Sequence, residues 1–449
     1  MDLVYAAAYL DRDVESTSDY TGYSEYYESW GGCYAKEGGY YTDSLECNDP
    51  TQIFVGDEKF SRQSHELRLQ SSQENRLRWI AGIFYQRQKH DFDYQWIVPG
   101  MDSVDSVIEG GHTTWQTKQI RIDRDKAVFG ELSYDITDDL NVTAGVRAYE
   151  FENSLYGFNG MYLWHCGAAG GRVCYENPNL DDVKKGSGES YKLNVNYTIN
   201  DDAMVYGTYS EGFRAGGVNR AKLVYVPSYE PDYVTNYEFG WKISSEDKRL
   251  RFNGAVYFLD WKNVQMATLD FSISQLTIIH NAGAARTKGA EFDLSYAASE
   301  NLTLSFAASY NDAKLQKDFG RRDAEGVFSV TAAAGTPMPF VPKTQFTAIA
   351  RYTDDIADFP AFAQIALSYT GKSWSSIEAA SRHEQKDYTL VNLSAGIDGD
   401  DWSVGLFADN LFDTRAQISY NDPGYYSVND TSFSTNRPRS LGIRFGQKF

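Results

Sequence analysis

The feature that most constrains this chain is an alternation of apolar and polar residues with period two, repeated along its whole length, because that period specifies strands with two chemically distinct faces. Over residues 301 to 311, Leu302, Leu304, Phe306, Ala308 and Tyr310 share one side, while Thr303, Ser305, Ala307, Ser309 and Asn311 share the other. The same reading separates Tyr191, Leu193, Val195, Tyr197 and Ile199 from Ser190, Lys192, Asn194, Asn196 and Thr198. Further instances are Tyr237/Phe239/Trp241/Ile243, Leu250/Phe252/Val256/Phe258, Phe292/Leu294/Tyr296 and Trp402/Val404/Leu406/Ala408. Heptads and amphipathic helical runs of comparable extent are not found.

A soluble β-sandwich also alternates, so other features decide. Most runs are about 10 to 15 residues long, beyond the globular mode of about 5 to 6 and matching the roughly 9 to 11 tilted residues of a transmembrane strand. The polar faces carry charge at several depths, at Lys192, Glu238, Lys242, Arg249, Arg251, Glu291 and Asp293, which suits a wet barrel interior. Aromatics near strand ends (Tyr149, Phe151, Trp241, Trp402) fit an interfacial girdle, although a sandwich would use them as core.

Strands read at about 2–13, 60–71, 76–90, 113–135, 140–152, 187–199, 203–213, 232–244, 248–262, 284–298, 301–315, 343–354, 360–372, 385–398, 401–413 and 436–448. Brief turns such as Asn200-Asp201-Asp202 and Ser245-Glu246-Asp247 alternate with long loops, as in an outer-membrane barrel. The expected fold is therefore all-β, a transmembrane antiparallel β-barrel with about 16 strands. The longest apolar run, Leu3 to Leu10, is far short of a membrane helix. Met1-Asp2-Leu3-Val4-Tyr5 lacks the basic start of a secretory signal. Forty-two Lys and Arg against 62 Asp and Glu, a net charge of −20, argue against a nucleic-acid partner. The last strand, with Leu441, Ile443, Phe445 and a final Phe449, is similar to the terminal assembly signal of outer-membrane barrels.

Four stretches carry a closer likeness. They are Tyr206-Gly-Thr-Tyr-Ser-Glu-Gly-Phe-Arg-Ala-Gly-Gly-Val-Asn219, Asn236-Tyr-Glu-Phe-Gly-Trp-Lys242, Asn281-Ala-Gly-Ala-Ala-Arg-Thr-Lys-Gly-Ala-Glu291 and Asp409-Asn-Leu-Phe-Asp-Thr-Arg415. Their order over roughly residues 120 to 449 resembles the TonB-dependent receptors, which import scarce nutrients across the outer membrane of Gram-negative bacteria. The resemblance implies a barrel of about 22 strands, preceded by a plug and a segment that contacts TonB. Residues 1–449 then read as one barrel domain from which the plug and first strands are missing, so that TonB would be met through the absent N-terminal region. The implied function is import of a scarce nutrient, a ferric siderophore first, with outer-membrane lipid and lipopolysaccharide as surroundings. Saccharides and cobalamin stay open, and a passive 16-stranded porin is the rival.

Candidate binding residues lie in the long loops. Tyr23, Tyr26, Tyr27, Trp30 and Tyr34 in one loop and Tyr425 and Tyr426 in another offer rigid area with polar tips. Arg214 and Asn219, at the outer end of a motif strand, are placed to meet an anionic ligand, or loop acids instead. Cys33 and Cys47, and Cys166 and Cys174, fall pairwise within two loops. Three pairings exist in principle, and loop-local disulfides in an oxidising compartment fit best. Neither Cys166 with His165 nor the scattered His65, His90, His112, His280 and His383 has metal-ligand spacing, so no metal or cofactor is expected. Catalytic motifs are lacking, and the chain does not read as an enzyme.

Overall fold

The computed structural model describes all residues except 29–32, 34–48, 102–105, 162–177, 221–227, 269–276, 323–327, 422–431 and 449. Sixteen strands pair antiparallel, each with its neighbour in sequence along the main sheet. They are Asp2–Asp19, Ile53–Gln70, Leu77–Ile97, Thr113–Asp135, Leu140–Gly160, Leu180–Asn200, Ala203–Arg214, Asp232–Ser244, Leu250–Lys262, Ala284–Ala297, Leu302–Leu315, Thr344–Ile356, Phe359–Thr370, Tyr388–Asp398, Trp402–Asp409 and Ser440–Gln447. All sixteen expected strands are present.

Connections at one end have at most six residues, whereas those at the other run from fifteen (98–112) to thirty-three (20–52). Of the two connections with only two residues, Asp201-Asp202 and Ala357-Asp358, the latter has φ of 51° and 67°. That left-handed pair is what a two-residue hairpin needs to follow strand twist, and it joins Ile356 to its register partner Phe359. Four two-stranded hairpins, 265–268 with 278–281, 319–322 with 328–332, 373–374 with 384–385 and 419–421 with 432–434, rise within the long loops. A helix, Thr21–Glu28, occupies a loop where the alternation gives no hint of one.

Apolar side chains face outward, the inverse of a soluble protein. Val128, Ile199, Phe239 and Leu406 are each more than half exposed. The total accessible surface is 25700 Å², against about 17,000 Å² for a soluble monomer of this mass. On strand Leu77–Ile97 the outward positions Leu77, Trp79, Ala81, Ile83 and Tyr85 are apolar, and Arg87, Lys89, Asp91 and Asp93 follow. On the next strands the change comes at Lys126 and Glu150. The band thus spans about nine residues per strand, a bilayer's worth, and ends at a ring of charge. There, Lys185 Nζ lies 2.9 Å from Glu152, which also pairs with Arg124.

The first six strands have 18 to 23 residues and the remaining ten have 8 to 14. The strands therefore make a tall wall and a short one. Beyond the charged ring, Thr113–Asp135 continues roughly 30 Å at ordinary rise and tilt. The expected girdle is corrected in part. Trp241 and Trp402 do face outward near the short turns, but Tyr149 and Phe151 point inward and are only 5% and 4% exposed. They lie flat because Gly188 and Gly186 face them, where a Cβ would stand 2.5 Å from the Tyr149 hydroxyl and 2.5 Å from the Phe151 ring.

Candidate functional site in the vestibule

Inward positions of the tall wall above the bilayer carry a continuous aromatic ladder. Phe60 stacks on His90 at 4.0 Å, His90 meets Phe92 at 4.6 Å, and Phe92 meets Tyr94 at 5.0 Å. Tyr94 then touches Phe54 at 5.5 Å, Phe54 touches Trp96 at 5.1 Å, and Trp96 reaches Tyr20 at 6.1 Å. Alternation puts 90, 92, 94 and 96 on one face, and register brings Phe54 opposite Trp96 and Phe60 opposite His90. Glu58 anchors the middle, with Oε2 2.8 Å from His90 Nε2 and a hydrogen bond from the Tyr94 hydroxyl. Burial pushes the Tyr94 hydroxyl well above its ordinary value, with Glu58 adding to the effect. Burial also holds His90 below the ordinary imidazole range, outweighing Glu58.

Residues 215–220, leaving strand Ala203–Arg214, fold against this wall as a strap. Val218, 3% exposed, closes a cluster of Phe92, Leu155 and Leu180. Its N–H donates to Asn153 Oδ1 at 2.8 Å, and its carbonyl accepts from Arg121 Nη2 at 3.1 Å. Gln119 Nε2 donates to the Arg220 carbonyl at 3.1 Å. Gly217 and Tyr229 exchange backbone hydrogen bonds of 3.1 and 2.9 Å, returning the loop to strand Asp232–Ser244. The result is an aromatic, partly charged chamber wall with its loop pinned from both sides.

A family model described as TonB dependent receptor-like, beta-barrel matches residues 3–411. The chain belongs to this family. Its members are outer-membrane proteins of Gram-negative bacteria, and that is where this receptor-family barrel resides. The ferric-pyoverdine 358 receptor of Pseudomonas putida is 25% identical over 299 residues, covering 65% of this chain and 33% of the relative. The ferrichrome outer membrane transporter/phage receptor of Escherichia coli is 26% identical over 276 residues, covering 59% and 33%. The matches thus cover about a third of each curated relative's length. Among solved structures, the siderophore receptor PiuA from Acinetobacter baumannii superposes with a TM-score of 0.69 at 15% identity, covering 99% of this chain and 61% of that one.

The residues singled out from sequence in this TonB-dependent-receptor barrel have varied places. Arg214 is engaged internally: its guanidinium pairs with Asp232 (Nε to Oδ2, 2.9 Å), lies 5.0 Å over the Trp261 ring and donates to the Gln265 carbonyl. Asp232 is 1% exposed and also accepts the Gln265 N–H at 3.1 Å. Asn219 clamps Ile279, donating to its carbonyl at 3.1 Å and accepting its N–H at 2.8 Å. Both residues therefore brace loops. Tyr23 meets Tyr20 at 5.4 Å with the rings tilted and so extends the ladder. Tyr26 and Tyr27 lie on the helix, while Trp30, Tyr34, Tyr425 and Tyr426 fall outside the described residues.

Cys33 is buried and disulfide-bonded; Cys47, Cys166 and Cys174 also lie outside the described residues. Among the described residues there is no group of three or more His, Cys, Asp or Glu able to hold a metal ion. The ladder itself escapes the sequence reading, which ends the third strand at residue 90. Its signal was present in His90-Asp-Phe92-Asp-Tyr94-Gln-Trp96, aromatic or imidazole at every second place.

Proposed function

We propose that this barrel is the outer-membrane part of a receptor that captures a ferric siderophore in its external vestibule and imports it with energy delivered by the TonB complex. The observation that carries the reading is the aromatic ladder Phe60–His90–Phe92–Tyr94, set on the inner face of a wall that stands clear of the bilayer. Flat, rigid rings offer contact area to an amphipathic chelate at small entropic cost. Relatives named for ferric pyoverdine and ferrichrome support the same ligand class. The outer charged ring of Arg124, Glu152 and Lys185 suits lipopolysaccharide headgroups, and neither the fold nor the relatives' names calls for catalysis.

The test is uptake of radioactive iron by cells carrying or lacking the gene, supplied with single ferric chelates, in strains with and without TonB. Uptake of one chelate that requires both the gene and TonB is expected. Uptake indifferent to TonB, together with steady ion conductance through the purified protein in planar bilayers, would overturn the reading in favour of a passive channel.

A further inference from the structure

The lipid face of the short wall is filled in one stretch and bare in the next. From strand Asp232–Ser244 to strand Phe359–Thr370, the outward rings of Trp241, Phe252, Phe292, Phe306, Phe346 and Tyr369 run in an unbroken file, with centroids 5.1 to 5.8 Å apart. Beside that file a groove of about 560 Å³ crosses the strands from Thr344–Ile356 to Trp402–Asp409. Its floor is alanine: Ala363 and Ala395 are direct register partners, while Ala350 stands opposite Ile365 and Ala408 opposite Leu393. Register also sets Ala350 against Leu304, so the floor belongs to the apolar, lipid-facing side. Tyr352, Ile365 and Leu406 rise around it, each roughly half exposed.

The groove reaches the short-turn end of the barrel, its periplasmic side, at Leu302 and Tyr352, and the rim there is acidic. The Tyr352 hydroxyl donates to Asp354 Oδ2 at 2.8 Å, and the Thr353 N–H donates to the Asn301 carbonyl at 2.8 Å, which brings Glu300 to the same border. Both carboxylates are exposed, and Arg249 of the adjoining turn is spent on the Ala297 and Ala298 carbonyls. Inside a bilayer an apolar surface is covered by acyl chains, and a depression gives one chain more contact than its neighbours have. The bare floor is two strands wide, about 5 Å between backbones, which suits a single polymethylene chain and is about half the width of a helix with its side chains. At the rim, carboxylates favour a head group with a primary ammonium, which offers three hydrogen-bond donors, and repel one of net negative charge.

We propose that this groove is a binding site for an aminophospholipid of the periplasmic leaflet, with one acyl chain on the Ala363–Ala395 floor and the ammonium at Asp354 and Glu300. The site lies on the opposite face of the wall from the lumen and is independent of the nutrient carried. Its test uses the purified full chain in detergent, stripped of lipid and incubated with phosphatidylethanolamine, phosphatidylcholine or phosphatidylglycerol of identical acyl chains. Retained lipid is counted by native mass spectrometry. The wild type is expected to hold phosphatidylethanolamine in preference to phosphatidylglycerol by about fivefold. A363L/A395L, which fills the floor, is expected to lower phosphatidylethanolamine retention about tenfold. A81L, on the lipid face of the tall wall, should leave it unchanged. D354N/E300Q should keep phosphatidylcholine retention and lose the preference for phosphatidylethanolamine over phosphatidylglycerol.

Equal retention of all three lipids by the wild type overturns the assignment, as does wild-type retention of phosphatidylethanolamine by A363L/A395L. A wild type that is dimeric and an A363L/A395L variant that is monomeric, with no loss of lipid, would make a second copy of the chain the occupant and overturn it as well. Retained heat-modifiable gel migration shows that each variant barrel remains folded. D354N/E300Q leaves every apolar contact of the groove in place, so the head-group comparison decides the matter even where the leucine variant does not fold.

Discussion

The tall wall of strands one to six and the short wall of strands seven to sixteen obey the same rule up to the charged ring and different rules beyond it. In both, about nine residues per strand alternate apolar-out and polar-in, as lipid on one side and water on the other require. The short strands then give way to loops within a few residues, and their hairpins are braced by pairs such as Arg214 with Asp232. The tall strands continue with charge on the outer face and aromatics on the inner face, because water now wets the outside and the inside has become a chamber wall. Extending a strand past the membrane thus inverts its polarity, and the inversion is what places the ladder.

The largest expected effect comes from removing the packing that only the tall wall has. Phe92→Ala should destabilise the region around the strap by about 3–5 kcal/mol, seen as faster hydrogen exchange at Val218. Unchanged exchange there would show that the ladder is not what holds the strap. One strand crosses both regimes, so a single substitution placed twice tests the boundary directly. Val128→Arg, in the apolar band, should cost about 2–4 kcal/mol in lipid unfolding titrations, whereas Ile122→Arg, six residues further out, should cost about 0–1. Equal costs would move the boundary or erase it.

On the short wall, Asp232→Ala strips the buried carboxylate from the Gln265 N–H and from the half-exposed Arg214. The expected loss is about 1–3 kcal/mol, discounted for the solvent around the guanidinium and read as a lower Tm. No change would mean the bracing is ornamental. The smallest effect is the titration of His90, whose proton affinity burial depresses. Its contribution to stability is complete above the unfolded value of about 6.5 and is lost as pH falls toward the lower folded value. An NMR titration midpoint above 6.5 would contradict this.

How much was legible follows the same division. Strand 232–244 has the same bounds in sequence and structure, since one alternating run covers it. Strand 113–135 was legible even in its tall part because Ile120 and Ile122 keep an apolar period on the outer face. The third strand stops being legible at 90, where Asp91 and Asp93 fall on the outer face and the lipid pattern ends. Period two also finds an aromatic without telling which side it takes: Tyr149 and Phe151 alternate correctly but turn inward over glycines of the next strand. The roles of Arg214 and Asn219 depend on partners such as Gln265 and Ile279, 51 and 60 residues away, and no local pattern encodes them.

The clamp between Asn219 and Ile279 has a further consequence for how the mouth of the barrel moves. The strap is tied to the tall wall at Asn153, Arg121 and Gln119 and to the neighbouring hairpin at Ile279. Segments from two separate loops consequently share one opening equilibrium and form a single cooperative unit at the rim. The amides of Val218 and Ile279 should exchange at matched rates, and a guest that touches the strap alone would slow both.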